Sequence, residues 1–230
     1  MIFLTKLLDL LSPRTCVGCG CRLSVEERSL CASCVFRLPY TNFSKNPYDN
    51  ELARLFWGTF PIERAAALFY YSPKSQQARI VHTLKYGGRD DVAEHLGAMM
   101  ARQFMIDDFF VGIDVIVPVP ITRRRRWQRG YNQSECIARG ISEVTGIPVV
   151  KDALCRKTFA RSQTQLNVYE RQDNVSDAFL LRNGSSLAGK HVLLVDDIIT
   201  TGSTIKACAQ QLTSVSGIKI SVAALGFTKG

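Results

Sequence analysis

Two adjacent carboxylates followed by a run of hydroxyls mark the stretch His191–Thr204, HVLLVDDIITTGST. Val192, Leu193, Leu194 and Val195 form an unbroken apolar run, the pattern of a central parallel strand covered on both faces. Asp196 and Asp197 stand at its carboxyl end, where open α/β sheets bind their ligands. Thr200, Thr201, Gly202, Ser203 and Thr204 then open a helical pattern, TIKACAQQL. A helix N-terminus offers free N–H groups and the positive end of a dipole. The hydroxyls add donors, and the glycine lets the backbone approach an anion. That half of the motif is a phosphate cradle. Carboxylates are poor phosphate ligands but good acceptors for a vicinal diol, so the two halves together describe a site for a ribose 5-phosphate.

The second constellation is sulfur. Five of the eight cysteines fall between Cys16 and Cys34, and they include the pairs Cys16-Val-Gly-Cys19 and Cys31-Ala-Ser-Cys34. Each C-x-x-C turn points both sulfurs at one place, and two such turns make a tetrahedral thiolate cage for zinc. Cys16, Cys19, Cys31 and Cys34 are the expected ligands, with Cys21 as a spare that could compete. Four thiolates leave no open coordination position, so the metal is expected to be structural. A disulfide framework is disfavoured, because the chain reads as cytosolic and the segment lacks a core without metal. Cys136, Cys155 and Cys208 are scattered and read as buried thiols.

The elements that must position these groups divide the chain by texture. Residues 1–38 combine a short amphipathic helix, carrying Leu4, Leu7, Leu8 and Leu11, with the cysteine module. Residues 39–62 carry Pro39, Pro47 and Pro61 and read as a linker or irregular wrap. From 63 to 230, strand-like runs (AAALFYY, DVIVPVP, FLL, HVLLVD, ISVAALGF) alternate with helical patterns (QARIVHTLKY, VAEHLGAMMARQF, SECIARGISEVTG and Ser203 to Val215). This alternation predicts an α/β fold with a mostly parallel sheet flanked by helices. Gly184 to Lys190 matches G-x-x-x-x-G-K, yet His191 follows where Ser or Thr is required. The segment also precedes a strand instead of following one, so it is not a P-loop.

Composition sets outer limits. The chain has 230 residues and a formal net charge of +9, with 46% hydrophobic residues. That is ordinary for a globular protein and suggests an anionic partner. No run reaches the length of a membrane span. His82, His95 and His191 show no pairing at ligand spacing and read as structural.

With those residues in view, the sequence resembles the type I phosphoribosyltransferases, whose motif for 5-phosphoribosyl 1-diphosphate (PRPP) has the form apolar–Asp–Asp–apolar–Thr–Thr–Gly–x–Thr. The cysteine knuckle narrows the resemblance to the ComF family, in which a zinc ribbon precedes such a domain. Leu84-Lys85-Tyr86 with Gly88 and Arg89, Pro118-Val119-Pro120, and Arg129-Gly130-Tyr131-Asn132-Gln133 also agree. So do Arg156-Lys157 to Gln165, Arg171, Asn174 and Phe179.

The resemblance implies that Asp196 and Asp197 bind the ribose hydroxyls and that Thr200–Thr204 hold the 5-phosphate. It places the diphosphate loop at Val119, Pro120, Ile121 and Thr122, with Lys85, Arg123 or Arg124 supplying charge and magnesium bridging the oxygens. Lys157 to Arg171 is the expected lid. Many transferases carry small or acidic residues after this strand, whereas this chain runs into Arg123–Arg126. The implied activity is phosphoribosyl transfer to an unidentified acceptor. The alternative is a nucleic-acid-binding protein in DNA uptake, with single-stranded DNA or competence proteins as partners and Arg123–Arg129 with Trp127 as the grip. The milder reading of that run is a solvated helical face.

Overall fold

The computed structural model describes residues 13–75, 77–157 and 178–229. The expected N-terminal helix and nearly all of the expected lid tract lie outside these residues. Along the chain come helices α1 (Ala32–Phe36) and α2 (Glu51–Arg54), strand β1 (Ile62–Tyr70), helices α3 (Gln77–Tyr86) and α4 (Asp90–Met105), and strand β2 (Val115–Pro118). Helices α5 (Arg123–Arg129) and α6 (Gln133–Thr145) follow. Then come strands β3 (Leu154–Arg156), β4 (Phe179–Leu181) and β5 (His191–Ile199), helix α7 (Ser203–Leu212) and strand β6 (Lys219–Phe227).

Four strands pair in parallel in the order β1-β6-β5-β2, and β3 and β4 form a small antiparallel ribbon. The α/β fold read from the alternating pattern is therefore the observed one. Val192 to Val195 are fully buried, so both faces of β5 are covered. The register sets Pro118 beside Val195, and the Val119 N–H donates to the Val195 carbonyl at 2.9 Å. On the outer side of β2, Ile116 bridges in parallel to Val149. The chain thus leaves β2 in one direction and leaves β5 toward β6 in the other. The carboxyl ends of β2 and β5 flank a topological switch point, where a crevice opens between neighbouring strands.

Helices α4 and α6 meet backbone to backbone. A Cβ at Gly140 would stand 1.9 Å from the Glu94 carbonyl oxygen, and one at Gly97 would stand 2.2 Å from that of Ile137. Only glycine permits this approach, which seats α6 against β2 and β5. The segment 39–62 packs along β1. Tyr70 N–H donates to the Pro39 carbonyl, Thr41 N–H to Leu68 and Ala65 N–H to Pro47. Leu52, Ala53 and Phe56 of this segment are buried, and Asn50 caps α2 by accepting from Leu52 and Ala53 N–H. The cysteine module rests on α4, where Ser29 Oγ and His95 Nδ1 lie 2.5 Å apart. No helix among the described residues is long and apolar enough to cross a membrane.

Gly140→Ala should lower the stability of the protein by about 3 kcal/mol, because backbone must move to admit one methyl group. Urea denaturation followed by circular dichroism measures it, and an unchanged midpoint would show that α4 and α6 have slack.

Candidate functional site

Asp196 and Asp197 close β5 at the switch point. Asp196 Oδ1 accepts from Ser134 Oγ at 3.0 Å and from the Asp197 N–H at 2.9 Å. Asp197 Oδ1 accepts from the Ile198 N–H at 2.7 Å, and its other oxygen lies 3.5 Å from Lys85 Nζ at the end of α3. Burial pushes the Asp196 carboxyl from its ordinary 3.8 up to about 7, and the neighbouring Asp197 charge adds to the shift. The pair is therefore short of positive charge.

Two adjoining cavities share Asp196. One, of about 30 Å³, is bounded by Asp196, Thr200, Gly202, Ser203 and Thr204. Gly202 caps α7 at φ +72, and a Cβ there would stand 2.8 Å from Phe56 Cε1, so both the conformation and the packing demand glycine. The first N–H groups of α7 have no intrahelical partner, and the exposed hydroxyls of Thr200, Thr201 and Ser203 stand around them. The other cavity, of about 170 Å³, is bounded by Lys85, the Val119–Ile121 turn, Asp196, Asp197 and Thr204, with Arg125, Arg129 and Arg156 opposite.

The site expected from sequence is thus brought together in most of its parts, with one shift in the basic run. Thr122 caps α5 through the Arg125 N–H, and this sets the helix phase. Arg125 and Arg129, four residues apart on one face, turn toward the acids. Arg123 lines a neighbouring cavity instead, and Arg124 lines none of those around the acids. The helical spacing held that information once the cap is recognised. Arg156 stands in the sequence only within the tract Arg156-Lys157 to Gln165 that resembles the family, with no site role attached to it, and no local pattern marks Ser134.

Four consecutive residues tie the walls together. Tyr131 Oη and Gln133 Nε2 both donate to the Leu84 carbonyl, at 2.8 and 2.9 Å, one residue before Lys85. Asn132 Nδ2 donates to the Val119 carbonyl at 3.0 Å, and Asn132 Oδ1 caps α6. Ser134 holds Asp196. Burial pushes the Tyr131 hydroxyl up to about 12, so it remains a donor across the physiological range.

In the cysteine module, the sulfurs of Cys16, Cys19, Cys21 and Cys31 all lie within 4.8 Å of one another, and Cys19 and Cys31 are 3.7 Å apart. Tetrahedral zinc with bonds of about 2.3 Å places its sulfurs about 3.8 Å apart, so this donor set fits such a metal. The turn at Gly20 brings Cys21 back among the sulfurs. The Cys34 thiol interacts with Cys16, Cys19 and Cys31 as well. Three sulfurs are common to both sets, and Cys21 and Cys34 are rival candidates for the fourth place. His82 stacks near Tyr86, and His191 Nε2 pairs with Ser221 Oγ at 2.8 Å.

A family model described as a phosphoribosyl transferase domain matches residues 137–227. The DNA utilization protein YhgH of Escherichia coli (strain K12) is 30% identical over 200 residues, which are 86% of this chain and 83% of that one. Competence protein F of Haemophilus influenzae is 33% identical over 110 residues, covering 47% of this chain and 48% of its own. The chain belongs to the ComF family. Competence protein ComFC of Bacillus subtilis is 24% identical over 98 residues, covering 43% and 38%. The ComF match to YhgH runs through most of both chains, whereas the family model covers only the part from α6 onward.

Asp196→Asn should stabilise the ligand-free protein, and the pH dependence carries the sign. The folded carboxyl holds its proton to about pH 7, whereas the unfolded one loses it near 3.8. The native acid therefore costs stability increasingly as pH rises through that window. The gain in melting temperature from the substitution should be near zero at pH 4 and full at pH 8. An equal gain at both would show that Asp196 carries no such shift.

Proposed function

We propose that this chain binds PRPP and, with magnesium, passes the phosphoribosyl group to an acceptor with release of diphosphate. The observation that carries this reading is the placement of Asp196 and Asp197 between the Thr200–Thr204 loop and the cations Lys85, Arg125 and Arg129. That order, donors then diol acceptors then positive charge, follows the ligand from its 5-phosphate through its ribose to its diphosphate.

Asp196 and Asp197 accept hydrogen bonds from the ribose hydroxyls, and the α7 N-terminus with its hydroxyls holds the 5-phosphate. The Val119–Thr122 turn and the facing cations take the diphosphate. The bond from C1 to the diphosphate oxygen breaks with its electron pair leaving on diphosphate, and the acceptor's lone pair forms the new bond to C1. The protein supplies no nucleophile; it orients the ribose and stabilises the departing charge. Magnesium, when bound, would neutralise the diphosphate and the acids, and the charge deficit at Asp196 and Asp197 suits an added cation. Zinc in the thiolate cage would serve as a structural cross-link.

Isothermal titration with PRPP should show magnesium-dependent binding, weakened about a hundredfold or more by Asp196→Asn with Asp197→Asn, since two charge-assisted contacts are lost. Unchanged affinity in the folded double variant would sink the reading.

A second reading rests on α5, which buries none of its residues and leaves Trp127 87% exposed beside Arg124. Two relatives carry DNA utilization and competence in their names. On this reading, stacking on Trp127 and phosphate contacts from the arginines hold single-stranded DNA. Fluorescence anisotropy with a labelled oligothymidine should show salt-sensitive binding that Arg124→Ala with Trp127→Ala weakens. Absence of binding at low salt would dispose of it.

A further inference from the structure

We infer that the cavity behind the β2 turn is a subsite for the phosphoryl group of an acceptor that is itself a phosphomonoester. The inference rests on the PRPP reading for the word acceptor, but the subsite stands on its own geometry.

The cavity measures about 300 Å³ and lies between α5, α6 and the β3–β4 ribbon. Arg123, Arg126, Lys151, Arg156 and Arg182 line it, against two carboxylates, Glu135 and Asp152. Glu135 is already engaged by Arg126 at 3.3 Å. Four separate segments thus converge five cations on one small space against two carboxylates, and a bound anion would offset the remaining excess of positive charge.

Arg156 is the most telling of the five. Its guanidinium is half-buried and lies 5.2 Å over the Phe179 ring, and no carboxylate among the described residues forms an ion pair with it. Burial, together with nearby Arg125, holds its pKa below the ordinary arginine value. A half-buried cation stacked on a ring, with no ion-pair partner among the described residues, is poised for an oxyanion.

The chemistry of the lining narrows the ligand. No aromatic side chain lines the cavity among the described residues, and its lining is dominated by charged groups. Cationic forks suit a compact phosphoryl group.

Position then links this anion to the reaction. Pro120, Ile121 and Arg156 are walls of both this cavity and the one holding Asp196 and Asp197. An acceptor anchored here by its phosphate presents its nucleophile across the shared wall to the ribose. Its lone pair forms the bond to C1 as diphosphate leaves, and its proton passes to solvent.

The test uses the full zinc-loaded chain with phenyl phosphate as the probe, by isothermal titration in magnesium with and without saturating PRPP. Lys151 and Arg182 are exposed, so Lys151→Ala with Arg182→Ala should leave the fold and PRPP affinity unchanged. Phenyl phosphate is expected to bind alongside PRPP, and the double variant should weaken it about tenfold or more. Displacement of the probe by PRPP would show that the cavity is only the diphosphate end of the first site, and would overturn the inference. So would binding indifferent to the double variant, or a cavity that takes only oligonucleotides. A failure of the PRPP reading would appear separately, as absent PRPP binding, while the probe's dependence on Lys151 and Arg182 could still be read.

Discussion

The Leu84 carbonyl accepts two side-chain hydrogen bonds, one from Tyr131 and one from Gln133, and these place Lys85 opposite Asp197. The same tetrapeptide reaches Val119 through Asn132 and Asp196 through Ser134. Asn132, Gln133 and Ser134 are nearly inaccessible to water, so each broken bond would strand a buried polar group at about 1–3 kcal/mol. The Gln133 amide has both ends committed, since its oxygen accepts from Arg129 at 2.8 Å. Three walls that come from distant parts of the chain therefore share one rigid reference. That reference is in turn seated by the glycine contact between α4 and α6.

Electrostatics explains why such rigidity is needed. Two neighbouring carboxylates with a lysine at Asp197 alone repel one another, and the end of β5 holds them side by side. A loose site would relieve this repulsion by letting the side chains swing into solvent. Held in place, the pair retains its appetite for hydroxyl donors and cations. The arginines across the cavity are spaced far enough from the acids to leave room for a ligand instead of closing the gap themselves.

The legible part of this protein was the part written locally. Val192–Thr204 carries strand, acids and hydroxyl loop within one uninterrupted run, so its spatial arrangement follows from the order of its residues. The cysteine knuckle was legible as a cluster but not as a ligand set, because a left-handed glycine at position 20 reverses the chain and returns Cys21 to the sulfurs. The partners of Tyr131, Gln133 and Ser134 lie 47, 49 and 62 residues away, and no window of sequence can pair them. Arg156 owes its place to strand pairing with Phe179 of β4, a shorter separation but still beyond any local pattern. The facing of Arg125 and Arg129 lay within reach, since Thr122 as cap fixes the phase of the helix that follows.

The wrap of residues 39–62 has a bearing on how molecules of this protein meet one another. An uncovered parallel edge strand is a template on which a second chain can add. Here the amides of Ala65 and Tyr70 and the carbonyl of Leu68 are already engaged by the wrap, and two of its three acceptor and donor partners sit at or beside prolines that offer no N–H of their own. The β1 border of the sheet is hemmed along its length. Growth by strand addition is blocked where the wrap engages that side.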